Sequence, residues 1–101
     1  MSPSSNPLSN DAVRERLREY PAWRLAADGR LEADLTFKNF SRVVLFANAI
    51  AHLAETHDHH PDLLLHDYKH LTIRLMTHSA GGITERDFAL LAAIDALPRP
   101  D

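Results

Sequence analysis

Imidazole is the side chain whose ordinary titration lies nearest neutrality, so a histidine cluster is the first place to look for proton transfer. The chain has seven histidines, and six of them fall between His57 and His78. The densest run is Glu55-Thr56-His57-Asp58-His59-His60-Pro61, followed by Tyr68, Thr77-His78, Gly81-Gly82 and Asp87. Glu55 and His59 stand four apart, a spacing at which helical side chains meet. A carboxylate partner and the partial negative charge of a helix C-terminus both favour imidazolium, which makes His59 a candidate proton donor. His60 precedes a proline and so leaves the helix. His78 ends an alternating run. Three imidazoles from two elements could thus converge to give and take protons.

Each of these residues also has a plainer reading. A histidine at a helix end is commonly a cap, His57 fits an apolar rim, and His52, His66 and His70 fit a surface or sheet face. Asp87 suits a capping box, Gly81-Gly82 a turn, and Met76 packing. Metal ligation by His57-x-His59-His60 with His78 is the sharper competitor. Pro61 distorts the His57/His60 pair and no His-Glu-x-x-His pattern is present, which argues against a metal site. Ser79 lacks a nucleophile-elbow context.

The elements that must position these residues follow from periodicity. Residues 1–8 are polar and proline-bearing and read as a flexible tail, leaving one domain over 9–101. Ser9 or Asn10 caps a short helix to about Glu19, with Val13, Leu17 and Tyr20 on one stripe and Pro21 as the stop. Trp23-Arg24-Leu25 is a short strand, and Asp28-Gly29 is a hairpin turn. Leu31, Ala33, Leu35 and Phe37 then alternate with polar residues as a half-buried strand. Asn39 or Ser41 opens the longest helix, which runs to about Asp58 with Pro61 as its terminator. Val43, Ala47, Ile50 and Ala54 line its inner face. Leu63–His66 is a third strand, Asp67-Tyr68-Lys69 a turn, and Leu71 to His78 a fourth strand. Thr84-Glu85-Arg86-Asp87 starts a last helix whose inner side is Phe88, Leu91, Ile94 and Leu97. This order predicts an α+β fold, with an antiparallel sheet covered on one face.

Composition removes other classes of function. The net charge is −3 with no concentrated basic patch, which argues against direct nucleic-acid binding. No cysteine is present, so thiolate catalysis, disulfides and cysteine-zinc sites are excluded. No run approaches the ~18 apolar residues of a membrane span, and residues 1–10 lack the order of a secretory signal, so the expected location is cytoplasmic. A single small core and exposed sheet edges favour self-association.

The combination Glu55-x-x-x-His59-His60-Pro61, Tyr68 and Thr77-His78-x-x-Gly81-Gly82-Ile83-Thr84-x-x-Asp87 resembles the motif of the pterin-4a-carbinolamine dehydratases. Trp23 and Phe37-x-x-Phe40 fit as well, and the resemblance spans about residues 9–97. Leu63-Leu64 stands where animal members carry an aromatic residue, as in bacterial and plant members. The resemblance implies a four-stranded antiparallel sheet with three helices packed on one face, and assembly as a homodimer or homotetramer. It implies dehydration of a 4a-hydroxytetrahydropterin to the quinonoid dihydropterin, the step that recycles tetrahydrobiopterin, without metal or organic cofactor. His59 aided by Glu55 and His78 oriented by Asp87 become the expected acid/base pair. His60 is expected to bind or polarise the pterin, with Pro61, Tyr68 and Thr77 as substrate contacts. Some members of this family are instead binding proteins, including a transcription-factor dimerisation cofactor and Rubisco assembly factors. A protein partner is the alternative role.

Overall fold

A computed structural model describes residues 6–100. Its elements are α1 (Asn10–Leu17), β1 (Trp23–Leu25), β2 (Leu31–Thr36), α2 (Phe40–His57), β3 (Asp62–His66), β4 (His70–Leu75) and α3 (Glu85–Asp95). The strands form one antiparallel sheet in the order β1-β2-β4-β3. The expected α+β class is therefore observed.

Strand parity decides which face is covered. Leu31, Ala33 and Leu35 of β2 and Leu71, Ile73 and Leu75 of β4 all point to one side and are buried. Val13 and Leu17 of α1, Val43, Phe46 and Ile50 of α2, and Phe88, Leu91 and Ile94 of α3 belong to the same core. Burial of this apolar area drives the packing of all three helices on that side.

The alternate residues make the opposite face polar and mutually bonded. Arg24, Glu32, Arg74 and Asp62 occupy one cross-strand row over all four strands. Glu32 accepts from Arg24 Nη2 at 2.6 Å and from Arg74 Nε at 2.7 Å. Asp34 accepts from Arg24 at 2.7 Å and from Thr72 Oγ1 at 2.6 Å. The bonds from Arg74 and Arg24 hold the Glu32 carboxyl below its ordinary range, and Thr72 and Arg24 do the same for Asp34.

Three boundaries differ from the sequence reading. Residues 1–5 of the expected tail lie outside the described residues, but Leu8 is docked, its N–H donating to the Ile83 carbonyl at 2.7 Å. The α2 helix is ended at Asp58, not by Pro61: Asp58 adopts the left-handed conformation at φ 48°, and its N–H still bonds Ala54 and Glu55. The β4 ladder stops at Leu75, so His78 opens a single 3₁₀ turn, His78–Ala80, rather than ending a strand. Gly81, left-handed at φ 70°, closes that turn, a conformation a Cβ would disfavour.

Candidate active site

The left-handed residue at Asp58 redirects the chain, and everything after it departs from helical spacing. His59 therefore does not sit one turn above Glu55, and the expected Glu55–His59 pair does not form. His60 Nε2 meets Glu55 Oε2 at 2.6 Å instead. His59 turns inward, 8% exposed, and its Nε2 lies 2.6 Å from Asp87 Oδ1. The expected carboxylate partners are thus exchanged: Asp87 holds His59, not His78, and Glu55 holds His60. Arg86 Nη2 donates to the Asp58 carbonyl, tying the end of α2 to the start of α3.

Asp87 is the hub of a buried network. Its Oδ2 accepts from Thr77 Oγ1 at 2.7 Å and from the Thr84 N–H at 2.9 Å, the latter as half of a reciprocal capping box. Thr77 Oγ1 spends its only hydrogen on Asp87, so Thr84 Oγ1 must donate in the 2.8 Å contact between the two hydroxyls. A carboxylate only accepts, so the network assigns a hydrogen to His59 Nε2, in either the neutral tautomer or the imidazolium. No buried side-chain polar atom among the described residues is left without a partner.

Strand parity explains which motif residues face outward. Thr77 shares the inward parity of Ile73 and Leu75 and is buried, so the side chain expected to touch substrate is part of the hub. Arg74 has the outward parity of β4, and Met76 and His78 lie just past the end of that strand. With Arg30, His60 and Asp62 they line one shallow cleft at the corner where α2 exits toward β3. His60 and His78 are the two imidazoles that reach it, and His59 stands behind them in the hub. Pro61 joins two cleft residues. Tyr68 is not brought to the cleft within one chain: β3 carries the backbone away from His60 for five residues, roughly 17 Å at about 3.3 Å per residue. Tyr68 ends in an exposed left-handed turn at φ 53°.

Arg30, Asp62 and Arg74 are cleft residues that the motif reading omits. The two-residue spacing of Arg74, Met76 and His78 carries the signal for Arg74 and Met76. Arg30 arrives only through tertiary pairing, its Nη1 on Asp62 Oδ2 at 2.6 Å. Among the described residues no three His, Cys, Asp or Glu side chains group as a metal site. A larger hollow of about 110 Å³, walled by Trp23, Leu35, Phe46 and Leu97 with Arg99 at its edge, shares no residue with the cleft and holds no imidazole. The chemistry favours the smaller cleft. No described helix is long and apolar enough to cross a membrane.

An α+β sandwich with paired imidazoles at the helix–sheet corner defines the class. Residues 6–97 match the family model described as pterin 4 alpha carbinolamine dehydratase, and the chain belongs to that family. A protein of Acidobacterium capsulatum named "Putative pterin-4-alpha-carbinolamine dehydratase" is 43% identical over 90 residues, covering 89% of this chain and 96% of that one. A protein of the same name from Chloroflexus aggregans is 40% identical, covering 89% and 95%. Among solved structures, a transcriptional coactivator/pterin dehydratase from Brucella melitensis superposes with a TM-score of 0.83 at 30% identity, covering 90% of this chain and 97% of that one. A pterin dehydratase-like protein described as a RuBisCO assembly factor in the alpha-carboxysome gives 0.61 at 25% identity, covering 74% and 87%.

Proposed function

We propose that this protein dehydrates a 4a-hydroxytetrahydropterin to the quinonoid dihydropterin, with His60 and His78 as the groups that touch substrate. The observation that carries this reading is their convergence on one cleft from two separate elements. The 4a-hydroxyl is a poor leaving group until protonated. As the C4a–O bond breaks, the N5 lone pair forms the C4a=N5 bond and water departs. The N5 proton is then lost. One imidazolium gives the first proton and one neutral imidazole takes the second, so the pair keeps its total of protons, and one proton must return to the donor, directly or through solvent, before the next turnover. Glu55 orients His60 through its 2.6 Å bond. His59 and Asp87 act as positioning residues: their buried bond anchors the backbone immediately before His60, and the bond of Asp87 to Thr77 seats the start of α3 beside the His78 turn.

Stopped-flow dehydration of freshly generated carbinolamine tests the assignment. His60→Ala and His78→Ala should each slow the step by about 10²–10⁴, the usual size of a general acid/base contribution. Full rate in both variants would sink it, and an undiminished rate in chelator is the expected control.

The family resemblance carries the further expectation of a cytoplasmic homo-oligomer acting in tetrahydrobiopterin recycling. The unpaired edge of β3 with exposed Leu64, and Phe40 and Leu45 exposed on α2, support self-association. Light scattering reads the mass directly, and a monomer at micromolar concentration would refute it. The partner-binding reading is favoured only by the two structural relatives. Stable co-purification of a protein partner without dehydratase turnover is the result that would select it.

A further inference from the structure

The two cleft imidazoles are held differently. His60 is oriented by Glu55, whereas the His78 ring has no hydrogen-bond partner among the described residues, so its place depends on its backbone. That backbone is a short loop closed by one bridge. Thr77 N–H donates to the Gly82 carbonyl at 3.0 Å, and Gly82 N–H returns a 3.4 Å bond to the Thr77 carbonyl. Asp87 holds the Thr77 side of the bridge. The residues ahead of α1 hold the other side. Leu8 N–H donates to the Ile83 carbonyl at 2.7 Å, Leu8 packs against the core, and Pro7 lies directly against Gly82.

We propose that Pro7-Leu8 is a positioning strap for His78: docked on Gly82-Ile83, it fixes the loop that carries the imidazole to the cleft. This rests on His78 being a group that touches substrate. General acid/base transfer needs hydrogen-bond reach, and a displacement of about 1 Å set up far from the chemistry can cost up to ~10²-fold. The strap supplies one peptide hydrogen bond and a small apolar contact, so its loss should loosen this loop locally and leave the rest of the fold standing. Gly82 provides an independent probe. Its backbone is not left-handed, unlike that of Gly81, so an alanine is not strained there. A Cβ at this position would meet Pro7 Cβ at 3.2 Å and nothing else within 4 Å. A methyl group at residue 82 therefore pushes on the strap alone.

Stopped-flow dehydration and the ring resonances of His78 in carbon-13 histidine-labelled protein test this. A chain beginning at Asn6 keeps the docked pair and should keep the rate. A chain beginning at Ser9 should be slower by about tenfold and should show a shifted His78 resonance, while that of His60 stays in place. Near-UV circular dichroism of Trp23 checks that both are folded. A merely structural strap would lower the denaturation midpoint and leave rate and resonance alone. If the chain beginning at Ser9 fails to fold, Gly82→Ala decides. It should slow the full chain a few-fold, and this slowing should disappear in a Pro7→Gly background. Loss of rate already in the chain beginning at Asn6 overturns the proposal. So does an unchanged rate or an unmoved His78 resonance in a folded chain beginning at Ser9, or equal slowing by Gly82→Ala with and without Pro7→Gly. Absence of turnover in the full chain refutes the dehydratase reading instead, and the His78 resonance then decides the positioning alone.

Discussion

Removing the Asp87 carboxylate should cost this protein a large part of its stability. Asp87 is fully buried and accepts three hydrogen bonds, from His59, Thr77 and the Thr84 N–H. A hydrogen bond to a charged group contributes about 1.5–3 kcal/mol, so simple addition for three gives roughly 4.5–9 kcal/mol. The released partners relax together, and the terms are not additive. Breaking a buried pair by deleting one member typically costs about 3–5 kcal/mol, and that is the expected loss for Asp87→Ala. A domain of this size has only about 5–15 kcal/mol in total. Thr77→Val removes one of the three bonds and should lose about 1–3 kcal/mol. Asp87→Asn keeps an acceptor for α3 but must offer an N–H somewhere in an acceptor-poor hub, and it should fall between the two. Urea denaturation followed by the fluorescence of Trp23, the one tryptophan in the chain and a core residue, measures all three. An Asp87→Ala protein within about 1 kcal/mol of wild type would show that the hub does not bear on stability as reasoned.

Three other outcomes are expected. His60 and His78 are both exposed, so His60→Ala and His78→Ala should change unfolding free energy by no more than about 0.5 kcal/mol while slowing dehydration, and a denaturation midpoint that moves with activity would contradict this separation. Glu32 and Asp34 have lowered pKa values in the fold, so the unfolded chain binds more protons. Their stabilising contribution is complete above the unfolded values and is lost as pH falls through the lowered folded ones. Stability should therefore decline below about pH 4, and the decline should be shallower in Glu32→Gln, as urea titrations from pH 6 to pH 2 would show. At Asp58 the left-handed backbone predicts that Asp58→Gly holds or gains a few tenths of a kcal/mol, whereas Asp58→Val loses about 1–2 kcal/mol, with thermal unfolding as the measurement.

Much of this architecture is written locally in the chain. The period-two pattern of Leu31, Ala33 and Leu35 and of Leu71, Ile73 and Leu75 decides a one-faced sheet, because a pleated strand sends alternate side chains to opposite sides. Thr84 and Asp87 announce the last helix, and the histidine spacing marks the corner that matters. Tertiary structure alone decided which carboxylate meets which imidazole. Glu55 is four residues from His59, yet one left-handed residue at Asp58 sends His59 into the core against Asp87 and leaves His60 to Glu55. Sequence spacing predicts contacts only while the backbone repeats, and it stops repeating there. Arg30 likewise reaches the cleft through a pairing with Asp62, 32 residues away, which no local pattern encodes. Such a contact is set by strand order and register, properties of the folded sheet and not of any one segment.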